Sequence, residues 1–158
     1  MQNATSSSVV RRSTPAILRI FAIIALILLA VQFMDGEVIN LFVQVPPVHP
    51  GVQPANYFMG VVQTVEWAVI YAPPGLQIHV IAGLLLFIAA VILHICAIVL
   101  RQGSWIAIAI IGLIGIIGAG FNGASFMNYG GLNLSSLLMS IGFLLAAIVY
   151  TIGIAFAH

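Results

Sequence analysis

"LQIHVIAGLLLFIAAVILHICAIVLR", residues 76 to 101, is an apolar run with a histidine near each end. About 20 consecutive apolar residues cross a bilayer core as a helix. This run is long enough, and its imidazoles, His79 and His94, are the only groups in it suited to redox or proton chemistry.

The rest of the chain has the same character. Of 158 residues, 63% are hydrophobic and 4% charged, and the mean hydropathy is +1.24. A soluble domain carries about a quarter of its residues as charges. Four basic and three acidic side chains cannot cover a water-facing surface. The expected fold is a single all-α domain, an integral membrane four-helix bundle. The spans fall at about 15–42, 76–100, 105–126 and 134–157, after a polar N-terminus expected to stay uncleaved, with a long connection at 43–75 and short turns after the second and third. No basic cluster exists to hold nucleic acid. The single cysteine, Cys96, excludes an intramolecular disulfide or a Cys-based metal cage and reads as a small buried hydrophobe.

Charge gives the orientation. With alternating spans, Arg11, Arg12, Arg19 and Arg101 fall on one side, and Asp35, Glu37 and Glu66 on the other. The positive-inside rule then places both termini in the cytoplasm of a cell-membrane protein and the 43–75 connection outside. Within that connection, "VPPVHPGVQP" (45–54) reads as extended and "ANYFMGVVQTVEWAVIY" (55–71) as an amphipathic helix. One face of that helix carries Gly60, Gln63, Thr64 and Trp67, and the other Phe58, Val61, Val62, Val65, Ala68 and Val69. It is expected to lie along the outer interface, either as plain packing or as a cap over a site within the bundle.

Gly112, Gly115, Ala119 and Gly123 form a narrow stripe along the third span. Such stripes let membrane helices approach closely, or they leave a slot for a flat ring. Asp35 and Glu37 are about 200° apart around a helix, do not converge on one ion, and read as polar anchors at the water boundary.

His79 and His94 lie about 22 Å apart along a helix axis and about 60° apart around it, so they cannot share one metal ion. His79-Val-Ile-Ala-Gly83, with a second histidine further along, resembles the haem-bearing helix of small multi-helix membrane b-type cytochromes. The resemblance covers this one span. It implies haem b and electron exchange with quinone or a partner subunit. The other spans carry no histidine, so the bis-histidine pairing of such proteins is unavailable between helices. His79 is then the expected haem ligand, with Met139, Met127 or His49 as its partner and Gly83 beside the ring. His94 is a candidate for a second, five-coordinate site. His158 ends nearer the inner surface.

The reading from another class is a cofactor-free accessory subunit that packs against a larger membrane complex or against copies of itself. In that case the histidines hydrogen-bond between helices. Hydrolytic or group-transfer catalysis has no support, since no nucleophile sits with a base and no glycine loop precedes a phosphate-binding residue.

Overall fold

Prolines and glycines punctuate the chain where helices begin and end. The computed structural model describes residues 15–157; Arg11, Arg12 and His158 lie outside them. Five helices run in order: α1 (Ala16–Phe42), α2 (Tyr57–Ile70), α3 (Pro74–Val99), α4 (Gly103–Asn128) and α5 (Asn133–Phe156). Pro15 precedes α1, and Pro74 is the first residue of α3, where a missing N–H costs nothing. Thus Pro74 opens the second span two residues before its expected start.

Two of the turns close in the same way. At the end of α3, Gln102 N–H reaches Ala97 O across a left-handed Arg101 (φ +53°). At the end of α4, Gly131 N–H reaches Phe126 O across Gly130 (φ +72°). Both are six-to-one closures that satisfy terminal carbonyls. Only the second has glycine at the left-handed position, so the Arg101 turn carries a steric cost.

The helices α1, α3, α4 and α5 are each long and apolar enough to cross a membrane. Each packs on the next, α1 on α3, α3 on α4, α4 on α5 and α5 back on α1. Large side chains such as Ile20, Ile27, Ile88, Ile114 and Leu144 point outward and exposed, as a bilayer-facing surface requires. The interior sets alanines among a few large side chains. Leu18, Ala22, Ala25 and Leu29 of α1 meet Leu86, Ala90, Leu93 and Ala97 of α3, with Trp105, Ala109, Ala146 and Tyr150 completing the cluster. This core fills the half of the bundle near Arg101. Above Leu29, Leu86 and Ile116 the interior opens.

The glycine stripe resolves into two parts. A Cβ on Gly115 would lie 2.6 Å from Gly142 O, and one on Gly142 would lie 2.4 Å from Gly115 O. Gly112 receives the Tyr150 ring. These glycines serve backbone-to-backbone packing of α4 on α5. Ala119, beside Gly142, and Gly123, further along, line the cavity inside the bundle.

The expected amphipathic helix exists as α2. Gly60, Thr64 and Ala68 are buried, whereas Phe58 and Val62 are exposed. The small stripe seats the 50–54 loop, since a Cβ on Gly60 would run into Pro54 and Thr64 lies against Gly51. Val61 and Val65, beside it, face the opening in the bundle.

Candidate functional site

The opening is a cavity of about 460 Å³ at the α2 end, within the range of small-molecule and cofactor sites, roughly 300–1,000 Å³. All four spans and α2 contribute to its wall. Most of that wall is apolar, from residues such as Leu86, Phe87, Ile116 and Phe143. A few polar groups interrupt it: Gln32, Glu37, Asn40, His79, Ser136 and Ser140.

Four of the six residues singled out in the sequence meet here. His79, Gly83, Met127 and Met139 all line the cavity. They come from α3, α4 and α5, separated by up to 60 positions, and the antiparallel bundle brings them to one depth. Met139 faces Gly123, where an added Cβ would lie 3.5 Å from its sulfur.

His79 is held from α1. Its Nδ1 lies 3.4 Å from Asp35 Oδ2, and both side chains are largely buried. Gln32 Nε2–H donates to His79 O at 2.6 Å. A Cβ on Gly36 would lie 3.4 Å from His79 Cε1, so this glycine lets α1 sit against the imidazole edge. Gly83 does the same for Gln32, whose amide would lie 3.4 Å from an added Cβ. Residues 32, 35 and 36 fall on one face of α1 by helical spacing. Asp35 is therefore a partner of His79. Reading it as a boundary anchor missed this, because nothing in one helix announces which residue of another it will meet.

The other two candidates lie elsewhere. His49 is 7% exposed and stacks on Trp67, with centroids 4.5 Å apart, away from the cavity wall. Its Nδ1–H donates to Pro50 O at 2.9 Å. It does not fold back onto His79, because the turn at Gly51 (φ +95°) seats this loop against α2. His94 is half-buried in the Arg101 half of α3 and lines no cavity near His79; its buried Nδ1 has no hydrogen-bond partner among the described residues.

No family model, curated protein or solved structure matches the chain. What the site can do must be argued from its own chemistry. Among the described residues, no group of three or more His, Cys, Asp or Glu side chains could hold a bare metal ion. The donor set is one imidazole and two thioethers on the wall of a largely apolar cavity. A carboxylate on one ring nitrogen is the arrangement that orients metal-binding histidines and raises their basicity.

A second cavity, about 400 Å³, adjoins the first through Ile39, Asn40, Val45, Phe126 and Met127. Its remaining wall comes from the 46–53 loop and from Asn128, Tyr129, Gly130 and Gly131. This loop is fastened to the bundle. Gln53 N–H donates to Asn128 O at 3.1 Å, Thr64 Oγ1 donates to Pro50 O at 3.2 Å, and the Thr64 hydroxyl also contacts Asn128 Oδ1. Tyr57 and Ser125 hydroxyls meet at 2.8 Å, tying the start of α2 to α4.

Proposed function

We propose that this chain is a small membrane-embedded electron-transfer protein, in which His79 would hold haem b in the α2-end cavity. The observation that carries the reading is the convergence of His79, backed by Asp35, with Met127 and Met139 on the wall of one apolar cavity. Bound haem supplies a one-electron couple within the bilayer. Asp35 fixes the ring and leaves Nε2 for the metal. Phe87, Ile116 and Phe143 on the cavity wall would keep water from the bound group.

The second ligand narrows to a thioether, because Met127 and Met139 stand on the wall and His49 does not. His/Met ligation raises a haem potential. Asp35 and Glu37 oppose that rise, since negative charge nearby favours the oxidised iron. No Lys or Arg lies at this end among the described residues to pair with the carboxylates that haem b would bring. His94 takes no part in this site.

Orientation follows from Arg19 and Arg101, which share the opposite end of the bundle. The positive-inside rule puts that end in the cytoplasm and the haem near the outer face of the cell membrane. The electron partner is quinone in the bilayer or a neighbouring membrane subunit. In a cofactor-free accessory subunit the His79–Asp35 contact would act as glue between helices. Glue needs no cavity of this size, and the cavity favours haem.

A reduced-minus-oxidised visible spectrum of protein purified from its own host tests the reading. A sharp b-type α-band is expected, lost in His79→Ala and retained in His94→Ala. A featureless spectrum overturns haem binding and leaves the accessory subunit.

A further inference from the structure

The second cavity, about 400 Å³, is bounded by the end of α1, the 46–53 loop and the end of α4. Its volume also falls within the range of small-molecule sites, roughly 300–1,000 Å³. Part of its wall is shared with the first cavity, but Pro46, Pro47, Gln53, Asn128 and Tyr129 border only the second of the two. Asn128 is the most buried polar residue of this wall, at 1% exposure. Its Oδ1 meets the Thr64 hydroxyl, and its Nδ2 is buried without a hydrogen-bond partner among the described residues. If the amide is turned over, Nδ2–H serves Thr64 and Oδ1 is the end left unpaired. Either way, half of a buried carboxamide has nothing to bond, which is rare in folded proteins. Asn40, Gln53 and Tyr129 stand exposed on the same wall, and their side chains make no hydrogen bond among the described residues. Gln53 holds a left-handed backbone conformation (φ +43°), and its N–H donates to Asn128 O at 3.1 Å. That bond sets the two carboxamide residues side by side.

We infer that this cavity binds a neutral sugar ring, either a free saccharide or the head group of a glycolipid. No charged side chain lines it. A charged ligand would give up its hydration with no opposite charge to meet it. A wholly apolar ligand would leave the Asn128 amide unpaired. Every polar side chain on this wall can both donate and accept, and so can every hydroxyl of a sugar. Asn128 bonds one hydroxyl at the buried side of the cavity, while Gln53 and Asn40 take its neighbours at the exposed side. Pro46, Pro47 and the Tyr129 ring supply an apolar surface for the C–H face of the sugar. Nothing in this inference rests on haem in the first cavity.

Protein in phosphatidylcholine nanodiscs, prepared without a glycoside detergent, tests the site in two arms. Methyl β-glucopyranoside added to the water is read by saturation-transfer NMR. Glucosyldiacylglycerol mixed into the bilayer, beside an equal amount of phosphatidylglycerol, is counted on the protein by native mass spectrometry. We expect binding in at least one arm. Binding in the first alone marks a free saccharide, and binding in the second marks a glycolipid head group. Gln53→Gly deletes the carboxamide and suits the left-handed backbone, so it should weaken binding several-fold with little change in melting temperature. Val48→Ala, in the same loop but off the cavity wall, should leave binding unchanged. If Gln53→Gly does not fold, Tyr129→Ala removes the aromatic part of the same wall and should weaken binding likewise. Binding in neither arm, equal binding by the cavity variant, or phosphatidylglycerol retained as well as the glucolipid overturns the inference.

Discussion

His79 Nδ1 lies 3.4 Å from Asp35 Oδ2, joining the third helix of the chain to the first at the mouth of the cavity. Neither atom has a hydrogen-bond partner among the described residues, so each answers the other's burial. A carboxylate in this position orients an imidazole ligand, and its removal typically weakens metal binding about 10–100-fold. Asp35→Asn should therefore lower haem affinity by about that factor and raise the midpoint potential. Haem titration and a spectroelectrochemical titration measure the two effects. Unchanged values in both would detach Asp35 from the site.

The identity of the second ligand separates by substitution. Met127→Leu and Met139→Leu conserve volume and should each cost less than about 1.5 kcal/mol in stability. Loss of a thioether ligand lowers the potential and leaves an open coordination position. One of the two variants should therefore bind carbon monoxide in the reduced state, and the other should keep the parent spectrum. If both keep it, neither sulfur is bound to iron.

The sequence was most legible where a single helix decides the outcome. Apolar runs long enough to span a bilayer placed all four spans to within about two residues, because length and hydropathy are local properties. The histidine at 79 and the two methionines stood out as donors at one depth. The pairing of Asp35 with His79 was not visible, since it depends on rotation of α1 against α3. The face by which α2 docks was not legible for a related reason. Hydrophobic spacing points to Val and Phe, but close approach selects Gly60, Thr64 and Ala68, and the bilayer boundary accepts the apolar residues left outside. The glycine stripe showed its packing role but not where that role ends, at the cavity.

Gly115 and Gly142 place the α4 and α5 backbones in contact, with no room for a Cβ on either. Gly142→Val would drive the helices apart and should cost about 1–3 kcal/mol, as overpacking does. Since Met139 rides on α5, the same change should broaden the haem spectrum as well as lower the melting temperature. Ile141→Val, one position away on the exposed face, should leave both unchanged. A Gly142→Val protein melting with the parent would contradict the close approach.

Thr64 is the pin of the loop that closes the α2 end. Its hydroxyl has one proton, so it serves Pro50 O or Asn128 Oδ1 but not both at once. Turning the Asn128 amide over lets Nδ2–H donate to Thr64 Oγ1 while Thr64 donates to Pro50 O, so that both bonds coexist. His49 Nδ1–H reaches the same Pro50 carbonyl and stacks on Trp67. Thr64→Val keeps the shape and strands buried polar partners, at a cost of about 1–3 kcal/mol. The loss falls on the loop, not on the transmembrane core. The 43–56 segment should become protease-sensitive, and Trp67 fluorescence should change as its histidine partner loosens. The haem spectrum should hold, because His79 and Met139 stand on helices that this pin does not touch and it meets α4 only at Asn128, its last residue. A collapsed spectrum with an intact loop would mean that the clamp and the cavity are one cooperative unit.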